Sequence, residues 1–307
     1  MAPTRTIIIT GGNSGLGRET ARLLAAHEEN FVVIASRSAG SGQETADALT
    51  AQVGHARWLH LDLESQASVR SFVEAFRQAA FPPLHALICN AGYQNVGVPA
   101  KNEDGYETTF AINHLGHYLL SRLLLPDLTA GGRITIVASG VHDPAVKSGM
   151  PHPAYTIAEA VAQDFKPGRT EGLRRYSTSK LCNVLYAYEL SRRLSEADDS
   201  RLASIKVNAI DPGLMPATGL ARSFPPHLRW VSRNILPLLR FVMDNVHLPE
   251  VSAERVVAIT TGAQADASGK YFSNGKAVRS SVDSYNQTKW RDLWETSARM
   301  TDLTSEL

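Results

Sequence analysis

Short runs of apolar, often β-branched residues recur along the first two thirds of the chain, at 5–10, 30–35, 56–61, 85–89, 133–138 and 203–210. Runs of this length and composition read as strands buried on both faces. Between them apolar residues return every three or four positions. That period predicts helices over 18–27, 40–52, 65–79 and 104–128, and another long one opening at Tyr176. Strands that alternate with helices need right-handed crossovers, which lay the strands parallel and put helices on both faces of the sheet. The predicted fold class is α/β, a doubly wound, Rossmann-like parallel sheet of about seven strands. No internal repeat, low-complexity tract or linker breaks the pattern, so residues 1–307 are read as a single domain.

Composition narrows this reading without redirecting it. The 307 residues are 43% hydrophobic with a formal net charge of +1 and no basic run, which argues against a nucleic-acid partner. Cys89 and Cys182 offer neither a disulfide framework nor metal-ligand spacing, and both lie in apolar stretches, so buried thiols in a reducing compartment are expected. The first strand-like run begins almost at the start, where a cleaved leader would need a longer apolar stretch, so none is predicted, and no window approaches the ~20 apolar residues of a spanning helix. A cytoplasmic protein is the expectation.

The chemistry begins at the first strand's end. Gly11-Gly12-Asn13-Ser14-Gly15-Leu16-Gly17 lies between that strand and a helix, the arrangement that lets a backbone turn tightly and present free amides to a pyrophosphate. At the end of the second strand stand Ser36 and Arg37, with no acid. An acid there would accept from an adenosine ribose hydroxyl, whereas an arginine accommodates a 2′-phosphate, so the predicted cofactor is NADP(H). Asp62-Leu63 ends the third strand, where the carboxylate can meet the adenine amino group, and Asn90-Ala91-Gly92 ends the fourth. In the helix that follows, His114 and His117 lack a third metal ligand at matching spacing and read as core or surface residues. Asn113, amid apolar neighbours, is assigned a hydrogen-bonding task. Ser139 and Asp211-Pro212-Gly213 close the fifth and sixth strands. Ligands in open parallel sheets bind beyond the strands' carboxyl ends, so all these residues should share one crevice.

Tyr176 and Lys180, four apart, project from one helix face, so a phenol and an ammonium can occupy the same site. A phenol titrates near ~10, and lowering it to roughly 7 for proton transfer takes about 4 kcal/mol of favourable charge. Lys180 is expected to supply part of that, and an oxidised nicotinamide the rest. Tyr285 and Lys289 repeat the spacing beyond the last strand of the pattern and are set aside as a surface pair.

Taken together, Thr10-Gly11 with Gly15 and Gly17, Asn90-Ala91-Gly92, Asn113, Ser139, Tyr176 with Lys180, and Pro212-Gly213 resemble the short-chain dehydrogenase/reductase family over residues 5 to about 215. The resemblance implies that Ser139 holds a substrate oxygen and Tyr176 passes its proton. It also implies that Lys180 holds the nicotinamide ribose while acidifying Tyr176, and that Asn113 anchors a relay water. The chain is more closely similar to retinol dehydrogenase-like members and to light-dependent protochlorophyllide oxidoreductase. Asn113-His-Leu-Gly-His-Tyr-Leu-Leu, Lys180-Leu-Cys-Asn183, Thr218-Gly-Leu, Gly269-Lys-Tyr-Phe and the tail tryptophans Trp290 and Trp294 carry the latter likeness. That photoenzyme has a cysteine directly after its Pro-Gly where this chain has Leu214, which cannot take a thiol's place in proton transfer. A dark reductase is the resulting expectation.

The 36 residues between Ser139 and Tyr176 are an insertion at about 140–175, predicted to build one pocket wall. The segment at about 214–248 carries Phe224, Trp230, Ile235, Leu238, Leu239 and Phe241 beside Arg222, Arg229, Arg233 and Arg240, an amphipathic pattern suited to core packing, a lid or membrane-surface contact. His142, Leu214 and Met215 are the candidate substrate contacts. The predicted activity is NADPH-dependent reduction of a bulky apolar ketone or aldehyde, or the reverse oxidation. The alternatives are a carbon–carbon double-bond reductase and a catalytically silent NADP(H)-binding regulator. A monomer or a homodimer is compatible with the pattern, the tail being long enough to cover a pairing surface.

Overall fold

The computed structural model describes residues 2–215 and 247–307. Most of the predicted lid, including all its aromatic residues and arginines, lies outside the described residues.

The strands are β1 (Arg5–Thr10), β2 (Asn30–Ser36), β3 (Ala56–His60), β4 (Leu84–Cys89), β5 (Leu128–Val137), β6 (Lys206–Asp211), β7 (Lys270–Ser273) and β8 (Lys276–Val278). They form one sheet in the order β3-β2-β1-β4-β5-β6-β7-β8, parallel except for β8. The order reverses between β1 and β4, where register runs Ile8↔Leu87 and Ile9↔Ile88. That reversal opens a crevice above the carboxyl ends of these two strands. The sheet has one strand more than expected because Asn274 and Gly275 both take positive φ (51° and 72°) and fold β8 back on β7. An Asn-Gly pair is the sequence signal for such a two-residue hairpin turn.

Alternation within β1 shows how the layers form. Ile8 faces a core shared with Phe72, Leu119, Leu185 and Trp294, whereas Ile7 and Ile9 face the opposite core with Leu24, Leu49 and Val256. The first layer contains α3 (Gln66–Gln78), α4 (Gly116–Leu124), α5 (Arg169–Ser195) and α7 (Gln287–Met300); the second contains α1 (Gly15–Ala25), α2 (Ala39–Val53) and α6 (Pro249–Thr260). Helix α5 is the spine of the first layer, with Tyr176 to Leu190 buried throughout.

Several predicted boundaries shift. The helix expected over 104–128 begins at Thr108, capped by the Glu107 carboxylate accepting from Phe110 N–H (3.0 Å), and relaxes into a π-helical turn at Ala111–Leu115. It ends at Leu124 because Pro126 cannot continue it, and β5 starts at Leu128. Helix α5 starts two turns before Tyr176, directly after Pro167-Gly168, where Gly168 takes φ 112°. Strand β6 starts at Lys206 because a short helix, Ser200–Ser204, occupies the residues before it.

Part of the insertion packs into the core. Tyr155, Ala158, Val161 and Ala162 join the first core, and Asp292 of α7 accepts from the Tyr155 hydroxyl (2.6 Å) and Ala158 N–H (2.7 Å). Arg175 on α5 donates to the Lys166 carbonyl (2.6 Å) and faces the buried Glu107 carboxylate at 3.4 Å. The insertion is thus tied to the helix that carries Tyr176.

Candidate active site

The glycine loop is shaped by contacts that admit no side chain. Gly11 and Gly15 take φ 65° and 52°, and a Cβ on Gly17 would collide with the Gly11 carbonyl and the Asn90 amide. Ser14 makes no side-chain cap and the first turn of α1 holds no acid, so the helix's leading amides stay available to an anion. Leu16 is buried beneath the loop, and Asn13 donates to Ser41 Oγ (2.8 Å), pinning the loop to α2. A pyrophosphate fits this cradle on shape and on charge.

The floor of the crevice is fastened by Thr10. Its hydroxyl oxygen accepts from the Asn90 and Ala91 amides (both 2.9 Å), while Asn90 Nδ2 donates to the Thr10 carbonyl (2.8 Å). His117 Nε2 stands 2.8 Å from the same hydroxyl, and its Nδ1 is 3.2 Å from the Asn113 carbonyl. His114 meets Ser297 Oγ at 2.9 Å. Both histidines are core residues, and burial pushes their pKa down to about 3 for His114 and about 4 for His117.

At the ribose end the structure adds what local sequence lacked. Arg37 is exposed, with its guanidinium 3.8 Å from Asp62 and 3.6 Å from Glu64. The reading of an acid-free strand end holds for β2 itself, but two carboxylates after β3 share the arginine. Ser36 is buried and accepts from the Trp58 indole N–H (3.1 Å). Leu63 is buried against Gly116, whose missing Cβ lets α4 reach the Leu63 carbonyl.

Beyond the carboxyl ends of β4, β5 and β6 the remaining candidates converge. Lys180 Nζ donates to the Val137 carbonyl (3.1 Å), two residues before Ser139. The position a Cβ would take on Gly92 lies 3.7 Å from Lys180 Nζ and 3.9 Å from Asn113 Oδ1. Asn113 grips the Tyr93 backbone at both ends of its amide, Tyr93 N–H to Oδ1 (2.7 Å) and Nδ2 to the carbonyl (2.8 Å), and also donates to Ser179 Oγ (2.9 Å). Its side chain therefore positions the Asn90–Tyr93 turn, while its carbonyl lies in the π-helical turn, an irregularity often found at functional sites. Ser139 is half-buried and extended (φ −172°, ψ 151°) at the head of the turn Gly140–His142.

The electrostatics differ from the expectation in one respect. Burial pushes the Tyr176 phenol up, and the buried carboxylate of Asp211 pushes it further. Lys180 lies 5.6 Å from the centre of the Tyr176 ring, and burial lowers its own pKa to about 8. The phenol of the protein alone is a weak acid, not one poised near neutrality. Asp211, unremarked in the sequence beyond its place before Pro212, is the missed member of the site. It accepts from Gly213 N–H (3.0 Å) and Ser273 Oγ (3.3 Å), and its carboxylate abuts Gly140. An acid ending a buried strand was the available signal.

The substrate candidates divide. Leu214 is half exposed, and its carbonyl accepts from His247 N–H (3.0 Å); Met215 packs partly against the second core. Pro212 is buried and its carbonyl accepts from Ser252 Oγ (2.6 Å). His142 is 1% exposed with both ring nitrogens engaged inside the protein, so the assignment as a substrate contact is corrected. The Tyr285–Lys289 pair is no simple surface pair either: Tyr285 stacks on Tyr188 and Lys289 is paired with Asp283 at 2.6 Å.

A strand–glycine turn–helix cradle thus lies at the sheet's carboxyl rim, with Lys180 fastened at the end of β5 and beside the Tyr176 ring. Residues 5–158 match the model of the short chain dehydrogenase family, and the chain belongs to it. It is 31% identical over 320 residues to protochlorophyllide reductase A, chloroplastic, of Triticum aestivum, covering 97% of this chain and 80% of that protein. It is 32% identical over 301 residues to the short-chain dehydrogenase TIC 32 A, chloroplastic, of Brassica napus, covering 97% and 88%. Among solved structures, an uncharacterized protein from Mycobacterium paratuberculosis superposes with a TM-score of 0.72 at 26% identity, covering 99% of this chain and 96% of that one. The angucycline C-6 ketoreductase LanV with bound NADP shares the fold, with a TM-score of 0.65 at 21% identity over 89% of this chain and 96% of its own.

Proposed function

We propose that the chain is an NADP(H)-dependent reductase acting on the carbonyl of a bulky apolar ketone or aldehyde, with alcohol oxidation as the reverse. The observation that carries this reading is the placement of Lys180, which ties the end of β5 to α5 and lies against Gly92. Residues 11–17 would hold the pyrophosphate, Arg37 the 2′-phosphate, Asp62 and Leu63 the adenine, and Asn90 to Gly92 with Pro212-Gly213 the nicotinamide half. Bound NADPH supplies a hydride. Ser139 would hold the substrate oxygen, and Tyr176, kept protonated at neutral pH by its burial beside Asp211, would donate the proton. Lys180 would orient the ribose, and Asn113 would fix the turn on which the ring rests. Relatives named as reductases and neighbours solved with NADP support the reading.

Tyr176→Phe is expected to lower kcat by roughly a hundredfold or more while NADPH binding persists, the usual contribution of a positioned proton donor. Retained turnover would refute the assignment. Arg37→Ala should weaken NADPH binding roughly tenfold to a hundredfold, the worth of hydrogen bonds to a charged group, and leave NADH binding nearly unchanged. Titration of both cofactors by fluorescence reads this directly.

A second reading, reduction of a carbon–carbon double bond, is favoured by the similarity over 97% of this chain to a protochlorophyllide reductase. Product analysis on an α,β-unsaturated ketone separates the two, since one yields the allylic alcohol and the other the saturated ketone. Cytoplasmic location is likewise proposed. No helix among the described residues is long and apolar enough to cross a membrane, and fractionation of cells would test the assignment.

A further inference from the structure

His142 follows Ser139 by three residues and shares its turn. Its Nδ1 lies 2.7 Å from the Ser139 carbonyl. A carbonyl can only accept, so the ring proton sits on Nδ1 and Nε2 presents a lone pair. That lone pair accepts from the backbone N–H of Ser281 at 3.2 Å, 139 residues further along the chain. The ring packs at 4.9 Å against Tyr271 of β7. The Ser281 stretch is itself anchored, because Ser280 Oγ meets the Tyr188 hydroxyl (2.6 Å) and Ser284 Oγ donates to the Ser281 carbonyl (2.6 Å).

A cleft of about 650 Å³ lies beside this contact. One wall is Asp143 to Ala145, the residues after His142, and the other begins at Val282, the residue after Ser281. The imidazole thus joins the two segments from which the walls of the cleft run on.

We propose that His142 is a positioning residue, a neutral imidazole that clasps the Ser139 carbonyl to the tail amide of Ser281 and so holds the serine hydroxyl in place and the neighbouring cleft at its width. The functional half of this rests on Ser139 as the holder of the substrate oxygen; the clasp itself does not. Protonation would place an N–H on Nε2 against the N–H of Ser281, two donors facing each other, and open the clasp. The titratable groups facing the ring are Asp143, Asp211 and Tyr271; the two carboxylates favour the charged ring, but burial outweighs them and keeps it neutral.

The test uses the full chain with three variants. His142→Leu removes both hydrogen bonds. His142→Gln can reproduce both, its amide donating to Ser139 and accepting from Ser281. Ser281→Pro deletes the donor at a residue whose φ of −57° already suits proline. Amide exchange should rise together at 139–146 and 279–286 in His142→Leu and Ser281→Pro, and return toward wild type in His142→Gln. Against a carbonyl substrate, kcat should fall roughly tenfold to a hundredfold in the first two, the scale of a misplaced reacting group, with KM for NADPH unchanged. His142→Gln should keep most of kcat and lose the acid limb of the pH profile. Exchange that rises in one segment alone would overturn the clasp, and wild-type kcat in His142→Leu with both segments loosened would overturn its positioning of Ser139. If the wild-type protein reduces no carbonyl while both segments loosen together, the clasp stands and the role given to Ser139 falls.

Discussion

At Lys180 burial acts against the charge that the side chain carries at neutral pH. Its ammonium is buried and its pKa is lowered from 10.5 to about 8, so the fold favours the neutral form. Below pH 8 the folded protein carries a charge it disfavours relative to the unfolded chain, a cost of about 3 kcal/mol at 1.4 kcal/mol per pKa unit. Lys180→Met should therefore raise Tm while abolishing turnover, since Asn183 still donates to the Val137 carbonyl (3.3 Å) that the lysine leaves. A lower Tm in that variant would show that the lysine is a structural member of the site. Sequence spacing foresaw the partnership of Tyr176 and Lys180 but not the direction of the phenol's shift. That direction is set by burial and by Asp211, groups brought together across the sheet. The carboxylates beside Arg37 were hidden for the same reason, lying on the neighbouring strand's exit about 25 residues away.

Helix α4 and the π-helical turn before it depend on two uncharged histidines. His117 bridges the Thr10 hydroxyl and the Asn113 carbonyl, linking the cradle's floor to the turn that bears Asn113. Its pKa is lowered from 6.5 to about 4, so its contribution is complete above pH 6.5 and is lost as pH falls through the interval down to about 4. The loss amounts to about 3 kcal/mol once the ring is charged. Denaturation midpoints measured between pH 7 and pH 4 should fall less steeply in His117→Asn than in the wild type. Equal slopes would mean the ring is charged or exposed in the native state. The existence of this helix was legible from its apolar period. Its start, its π-helical turn and its end were not, because the Glu107 cap and the break at Pro126 act against a hydrophobic pattern that runs on unchanged.

The tail closes the first layer of helices over the sheet. Trp294 of α7 is buried against Tyr118 of α4 and Tyr186 of α5, with ring centroids 5.3 and 6.0 Å away, and Arg122 and Arg193 lie over its face at 4.6 and 4.5 Å. Those arginines also donate to the carbonyls of Thr304, Ser305 and Glu306, extending the cover beyond the helix. The faces of α4 and α5 that could pair two copies are thus occupied within one chain. Light scattering of the full chain should return the mass of a single copy. Removal of residues 287–307 should expose the aromatic cluster and cause association. A full-length dimer joined through α4 and α5 would contradict this.

The order of strands and helices, the glycine turn and the nearness of Lys180 to Tyr176 could all be read along the chain. Each depends on residues close in sequence, where hydrophobic period and backbone sterics act locally. Which groups set the charge on Tyr176, which acids share Arg37, and what holds Ser139 in place are settled by packing alone, because Asp211, Asp62 and Ser281 reach those positions from other strands and from the tail. His142 marks the boundary: its place three residues after Ser139 suggested a ligand contact, and folding instead spent both of its nitrogens on the protein itself.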